Sequence, residues 1–220
     1  LQELDVQISP GEFVAFVGPS GSGKSTVFRL LLGFDSPSSG AVFFDGQDLC
    51  GLDARSVRQQ IGVVLQQGTL LPGDIFTNIV GSSSLTLDDA WAAARQAGLE
   101  EDIEALPMGM HTFIAEGGGN LSGGQLQRLL IARALAGKPR ILLFDEATSA
   151  LDNVTQEAVA RNLERINATR VVIAHRLSTV RKADRIFVLE GGRVVESGNF
   201  DKLMKANGRF AELARRQMSG

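Results

Sequence analysis

Gly18-Pro19-Ser20-Gly21-Ser22-Gly23-Lys24-Ser25-Thr26 decides the fold of this chain. It fits the pattern G-x-x-x-x-G-K-[ST] without a mismatch. Glycines open backbone conformations closed to other residues, so successive N–H groups can face one concavity that suits a phosphate tail. Lys24 then adds a positive charge at the β- and γ-phosphates, and the Ser25 hydroxyl suits Mg²⁺. The bland alternative is a Gly/Ser-rich turn, and the flanks argue against it. Phe13–Val17 reads as a fully buried parallel strand, and Val27–Leu32 continues as an apolar helix. Strand, loop and helix are the setting such a loop needs, and together they predict binding of a nucleoside triphosphate.

Composition bounds what surrounds the loop. The 220 residues suit one domain, 1–220, with room for an inserted lobe and a substantial core. Apolar residues make up 44% and charged residues 21%, ordinary for a globular protein. A net charge of −3 gives no broad nucleic-acid footprint, so no nucleic-acid partner is expected. The single Cys50 excludes an internal disulfide and a cysteine-based zinc cluster. No apolar run approaches the roughly 18 residues needed to span a bilayer. Any membrane-spanning part therefore lies elsewhere. The chain starts without Met in a strand-like stretch, which reads as a domain cut from a longer polypeptide.

Leu1–Ile8 alternates loosely, with Leu4, Val6 and Ile8 on one side, and Ser9-Pro10-Gly11 turns it into the strand before the loop. Ala41–Phe44 reads as a short strand closed by the hairpin dipeptide Asp45-Gly46. Ser56–Gln60 reads as a short helix and Ile61–Leu65 as another buried strand. From about Gly68 to Gly137 strand signals vanish, and helices are predicted at Ile75–Val80, Leu87–Ala97 and Leu121–Ala136. Strands return at Ile141–Phe144, Val171–Ala174 and Ile186–Leu189, with helices near Val154–Arg165 and Leu177–Ala183 between them. This alternation predicts βαβ crossovers and a mainly parallel sheet. Gly191-Gly192 joins the last of these strands to Arg193–Glu196 as a hairpin. Phe200–Met218 reads as one or two amphipathic helices burying Leu203, Met204, Phe210 and Leu213. The organisation is a catalytic core, 1–67 and 138–220, carrying a helical lobe, 68–137.

Four further places carry chemistry. Ile141–Asp145 is a buried strand that ends in Asp145 and Glu146. In an open α/β sheet, ligands sit beyond the carboxyl ends of the strands. Asp145 can therefore reach the Mg²⁺ shell while Glu146 polarises an attacking water. The same acids also suit the start of the next helix, whose N-terminus favours negative charge. Gln66 follows one strand and His175 another, which brings both to the phosphate-loop edge. There Gln66 can touch Mg²⁺ or orient water, and His175 can hydrogen-bond the γ-phosphate. His111 has no such placement and reads as a structural residue. Leu121-Ser122-Gly123-Gly124-Gln125 opens a helix whose small residues suit an anion. A Ser N-cap on a flexible loop accounts for it equally well. Helix-start chemistry alone does not say whether this stretch and the phosphate loop meet one nucleotide.

Taken together, these stretches resemble the ATP-binding cassette (ABC) transporter ATPases. Leu121–Gln125 is similar to their signature motif and Gly18–Thr26 to Walker A. Gln66 matches the Q-loop, Ile141–Asp145 Walker B and Glu146 its glutamate. Ser149-Ala150-Leu151-Asp152 matches the D-loop, and His175 the switch histidine. The order and spacing are family-like over nearly the whole chain. The resemblance implies an α/β fold of the P-loop NTPase type, a mainly parallel sheet flanked by helices, with an antiparallel β portion and an inserted α-helical lobe. It implies ATP and Mg²⁺ as ligands, held by Gly18, Pro19, Ser20, Gly21, Ser22, Gly23, Lys24, Ser25 and Thr26, with Ser25, Gln66 and Asp145 at the metal and Glu146, Gln66 and His175 in catalysis. It implies head-to-tail pairing with a second copy around two ATP. Leu121, Ser122, Gly123, Gly124, Gln125 and Asp152 would then meet the partner's nucleotide.

Finer features resemble the exporter branch. Glu116 before Gly117-Gly118-Gly119-Asn120 looks like the exporter X-loop, and Gly73–Ile79 is similar to the segment after the Q-loop in exporters with fused membrane domains. The closest likeness there is to bacterial bacteriocin or peptide exporters. This implies transmembrane domains as partners in the same full-length chain, and a place on the cytoplasmic face of a membrane, the bacterial inner membrane. One departure is the missing adenine-stacking aromatic residue. The chain has no Tyr and no aromatic residue before Phe13, so that residue is expected upstream of Leu1. The alternatives are a non-transport ABC ATPase, an importer ATPase subunit, a phosphate-loop kinase or a non-hydrolysing regulatory dimer. The Glu116 loop and acidic net charge weigh against the first, and the Leu121–Gln125 motif weighs against the kinase.

Overall fold

The structure is a computed structural model that describes residues 1–66, 68–145, 150–174 and 176–218. Its elements begin with β1 (Phe13–Val17), α1 (Lys24–Leu31), β2 (Phe43–Phe44), β3 (Gln47–Asp48), α2 (Ala54–Arg58) and β4 (Ile61–Val64). Next come β5 (Gly73–Asp74), α3 (Ile75–Val80), α4 (Leu87–Gln96), α5 (Glu100–Glu104), β6 (Phe113–Ile114) and α6 (Gly123–Ala136). The chain continues through β7 (Ile141–Asp145), α7 (Asn153–Glu164), β8 (Thr169–Ile173), α8 (Leu177–Val180), β9 (Arg185–Glu190) and β10 (Arg193–Gly198). It closes with α9 (Phe200–Ala206) and α10 (Arg209–Met218). The chain divides into two compact units. The first holds Leu1–Arg58, Leu143–Asp145 and Thr169–Gly220, and the second Gln59–Leu142 and Glu146–Ala168.

In the first unit the strands run β10-β9-β1-β8-β7. β1 is parallel to both its neighbours, with Phe13 opposite Arg170 on β8 and Val14 opposite Arg185 on β9. A strand with partners on both edges and layers on both faces needs an unbroken apolar run, and all five residues of β1 are buried. Its start is clasped by Asp184, which accepts from the Phe13 N–H at 2.8 Å and donates its own N–H to the Phe13 carbonyl at 2.8 Å. β10 runs antiparallel along β9, and β2 and β3 form the hairpin predicted from Asp45-Gly46. Both turn residues have positive φ, 49° and 78°, as the tight hairpin geometry requires.

The second unit is built on α6. Leu129, Ile131 and Ala132 of this helix are fully buried, with α3, α4 and β4 packed around it. Gly62 permits the approach of β4, since a Cβ there would lie 2.2 Å from the Ala134 carbonyl oxygen. The Gln60 carbonyl accepts from Arg140 and Ile141 and so sets the first residues of β7 beside β4. Arg133 of α6 donates to the Asn78 carbonyl at 2.7 Å, to Asn78 Oδ1 at 2.6 Å and to the Thr69 carbonyl at 3.1 Å. Asn78 in turn bonds Leu71 through both its backbone groups. A buried amide must be satisfied, and these bonds pin residues 69–78 to α6.

At its other end the unit shows a clean electrostatic cap. Thr86 and Asp89 form a reciprocal capping box at the start of α4. The Thr86 N–H and hydroxyl, with Lys138 beside them, hold the Asp89 carboxyl down at about 2. A depressed carboxylate stabilises the fold above its unfolded value, and that contribution is lost as pH falls toward its folded value. The cap should thus stay intact at pH 5 and fail only between about pH 4 and 2. A carboxyl titration by NMR should place the Asp89 midpoint near about 2, and a midpoint near about 4 would show that the cap does not form in solution.

Four features depart from the sequence reading. Leu1–Ile8 forms no strand. A single backbone bond from the Gln2 N–H to the Gly192 carbonyl ties its start, and a strand needs a ladder. Within 68–137 a short antiparallel pair, β5 with β6, does form. Two residues per strand are too few to leave a period-two signal. α8 stops at Val180, short of Ala183. In the tail, Leu203 and Phe210 are buried as expected, but Met204 and Leu213 are half-buried and Ala211 and Ala214 take the core-facing positions. The other predicted elements form within a few residues of their expected ends.

Candidate nucleotide site

The phosphate loop leaves β1 at Gly18 and enters α1 at Lys24, all within the first unit. Gly18 sits at φ +150°, and a Cβ there would fall 2.1 Å from the Leu189 carbonyl oxygen. Only glycine lets the backbone pass so close to β9. Gly21 and Gly23 also take positive φ, at +76° and +104°. The Ser22 N–H closes the loop on the Pro19 carbonyl at 3.2 Å. Lys24 is buried, and its Nζ donates to the Gly18 and Pro19 carbonyls, each at 2.9 Å. The side chain therefore folds back across the loop and places its charge beneath the concavity. Ser25 is exposed and Thr26 half-buried at the start of α1.

A phosphate fits this arrangement on two observations. α1 has no side-chain cap and no acidic residue in its first turn, and its N-cap is Gly23. By contrast α4, α6 and α7 are each capped by a side chain, from Thr86, Ser122 and Asp152. A helix start whose N–H groups receive no side-chain oxygen is prepared for an external anion. The second observation is the Ser22 hydroxyl, which is buried in the loop without a hydrogen-bond partner among the described residues. A bound phosphate that draws the loop inward could satisfy it.

Asp145 is the last residue of β7 and half-buried. β7 follows β8 and β1 in the strand order of the first unit, so the structure brings Asp145 and the phosphate loop into one sheet. A carboxylate and the Ser25 hydroxyl are hard oxygen donors of the kind Mg²⁺ takes. Glu146 and His175 lie outside the described residues, as does Ser149. Gln66 stands in a turn shortly after β4, in the second unit.

The other anion-suited helix start belongs wholly to the second unit. Ser122 Oγ accepts from the Gln125 N–H at 3.2 Å, and Gln125 Oε1 accepts from the Ser122 N–H at 2.9 Å. Gln125 Nε2 then donates to Asp102 at 2.8 Å, and Asp102 pairs with Arg128 at 3.0 Å. Both ends of the Gln125 amide are thus engaged within the domain. Gly123 and Gly124 have no positive φ, and a Cβ on either would meet only ordinary contacts at 3.8 Å. Nothing inside the domain requires glycine at these two positions. Leu121 is half-buried, and Ser122 keeps its hydroxyl proton as a donor. Asp152 caps α7 by accepting from the Val154 and Thr155 N–H groups, both at 3.0 Å. Bonds from Thr155, chiefly, hold its carboxyl below the usual range.

Asp102, Gln127, Arg128 and the Asn78–Arg133 pair escaped the sequence reading. The available signal was polarity out of place. Gln127 and Arg133 lie beside the apolar residues of α6, and Asn78 stands beside Ile79 in Ile75–Val80. Glu116 starts a short 3₁₀ turn, Glu116–Gly118. Among the described residues no group of three or more His, Cys, Asp and Glu is placed to hold a metal by itself. No described helix is long and apolar enough to cross a membrane.

Comparison with known proteins was made on sequence and on structure. The family model described as ABC transporter matches residues 1–149. The exotoxin translocation ATP-binding protein PaxB of Pasteurella aerogenes is 47% identical over 208 residues, covering 93% of this chain and 29% of that protein. The mycobactin import ATP-binding/permease protein IrtB of Mycolicibacterium thermoresistibile is 44% identical over 222 residues, covering 100% of this chain and 38% of that protein. A solved bacterial Atm1-family ABC exporter with ATP bound superposes with a TM-score of 0.94 at 41% identity, over 97% of this chain and 38% of that one. The chain therefore spans well under half the length of each relative. The superposition agrees with the expected α/β fold of mostly parallel sheet and flanking helices. A family match over residues 1–149, which include the loop, the helix start at Ser122 and Asp145, shows that this chain belongs to the ABC transporter family and is an ATP-binding domain of it.

Proposed function

We propose that this domain is the ATP-hydrolysing motor of an ABC exporter and works as a head-to-tail pair around two ATP. The observation that carries the reading is the uncapped start of α1 above the buried Lys24. α5 and α8 also start without a side-chain cap, but α5 carries three acidic residues in its first turn and α8 has only four residues, so neither offers an anion what α1 does. In the proposed reaction the N–H groups of the loop and Lys24 hold the β- and γ-phosphate oxygens. Ser25, Asp145 and Gln66 are the residues that would hold Mg²⁺, which would supply charge stabilisation at the phosphate oxygens. Glu146 would take a proton from the water that attacks the γ-phosphorus as its bond to the ADP oxygen breaks, and His175 would bond the γ-phosphate. The partner supplies Leu121–Gln125 and Asp152. Glycine at 123 and 124, where no described residue or positive φ demands it, supports that role. With Gln125 tied to Ser122 and Asp102, its part is to shape the helix start, and Ser122, Gly123 and Gly124 present the donors.

The remaining parts of the proposal rest on the relatives. PaxB is named for exotoxin translocation and the solved neighbour is an exporter, which supports transmembrane domains in the same full-length chain, a place at the cytoplasmic face of a bacterial inner membrane and a peptide cargo. In this reading 68–137 is the lobe that carries the signature motif, and 1–67 with 138–220 is the catalytic core. A second reading, an import motor, is favoured by the likeness to IrtB, which is named for mycobactin import. Both readings use the same ATP chemistry.

The test is the order of the reaction in protein. If two copies share each site, ATP turnover per chain with Mg²⁺ rises with protein concentration until the pair saturates. Turnover that is absent, or constant per chain over a wide concentration range, would overturn the proposal.

A further inference from the structure

Gln127 is a polar side chain buried to 9% exposure, among Leu126, Leu129 and Leu130 on the helix that follows the signature motif. An amide so placed is costly unless it is used, and Leu or Met would fill the space without that cost. One of its bonds reaches out of its own helix. Gln127 Oε1 accepts from the backbone N–H of Ala150, 23 residues on, at 2.7 Å. Ala150 also lies against the start of α6. A Cβ on Gly123 would be 3.8 Å from Ala150 Cβ, and one on Gly124 would be 3.8 Å from the Ala150 carbonyl oxygen and from Leu151. Two residues after Ala150, Asp152 begins α7. The opposite side of the same helix start is held by Asp102, through Gln125 and Arg128.

We propose that Gln127 is a positioning residue, which locks Ala150 to the first turn of α6 so that Ser122–Gly124 and Asp152 meet the partner's nucleotide as one rigid surface. The inference rests on the dimeric reading above. It adds that the two stretches offered to the partner are pre-assembled within each copy, and that one buried amide does this. Pre-assembly matters because a surface already ordered loses less freedom when the partner docks. Gln127 touches no nucleotide in this account. Its effect must appear in association between copies and not in how one copy binds ADP.

The test uses the Glu146→Gln chain as parent, with dimerisation in ATP and Mg²⁺ followed by analytical ultracentrifugation and ADP affinity followed by calorimetry. Gln127→Met keeps the length of the side chain and removes the acceptor. It should weaken dimerisation about tenfold, as expected for a buried N–H left unpaired, with ADP affinity changed by less than about twofold. Gln127→Glu restores an acceptor oxygen and should recover most of the loss. A Met variant that dimerises like its parent overturns the proposal, and so does one that loses ADP affinity and dimerisation in step, which marks general destabilisation. A parent that stays monomeric overturns the dimeric reading and this inference with it. A measurement on the wild-type chain guards against a variant that does not fold. The Ala150 amide should exchange slowly with solvent, and fast exchange overturns the lock directly.

Discussion

Lys24→Ala should weaken ATP binding about 10- to 100-fold, the equivalent of losing a charge-assisted hydrogen bond of about 1.5–3 kcal/mol. The side chain is 7% exposed, and its ammonium is held 2.9 Å from both the Gly18 and Pro19 carbonyls. These bonds aim its charge before any ligand arrives, so little reorganisation is needed when phosphate oxygens approach. The substitution removes that charge and one donor to two loop carbonyls. The loop keeps its other ties, since the Ser22 N–H still closes on the Pro19 carbonyl and Gly18 still passes under Leu189. The loss should therefore fall on affinity more than on folding. Lys24→Met, which restores the bulk without the charge, should bind as weakly as Lys24→Ala. Calorimetry with ATP and Mg²⁺ measures the effect, and an unchanged affinity in the Ala variant would sink the proposed role of the loop.

Glu146→Gln should act in the opposite sense, sparing binding and stopping chemistry. Gln is the same size as Glu and cannot accept a proton from water. Loss of a general base costs about 10²–10⁴-fold in turnover. ATP affinity should stay close to that of the wild-type chain, and the ATP-bound pair should accumulate because the step that separates it is blocked. Size-exclusion chromatography with ATP and Mg²⁺ would then show a dimer that ADP does not support. A variant that keeps full turnover, or stays monomeric at high protein concentration, would count against Glu146 as the base. With Lys24→Ala this separates the two halves of the proposal, since one substitution acts on holding the phosphates and the other on cleaving them.

The residues differ in how openly they could be read. β1 was legible because its five residues are buried on both faces and must all be apolar, and α3 was predicted over the same residues that form it. The Leu1–Ile8 alternation misled because alternation reports a half-buried face and not a partner strand. β5 and β6 were illegible for their length. The phosphate loop stands out by its fixed spacing of glycines and lysine, whereas the start of α6 reads equally well as the Ser122 cap that the structure forms. The roles of Gln127 and Asp102 were not legible. Each acts on a residue more than 20 positions away, and local polarity marks such a side chain without naming its distant partner.

Residue order alone dictates the chemistry offered at each place: a loop for phosphates, a carboxylate closing a buried strand, a helix start made of small residues. These follow from residue type and near spacing. Tertiary structure alone decided how those places are held. It set Gly18 against the Leu189 carbonyl, turned Lys24 back onto the loop, occupied Gln125 with Asp102 and laid Ala150 against Gly123 and Gly124. The physical reason is that burial and hydrogen-bond satisfaction belong to the packed chain. An amide, a cation or a missing Cβ takes its role from whatever the fold brings beside it.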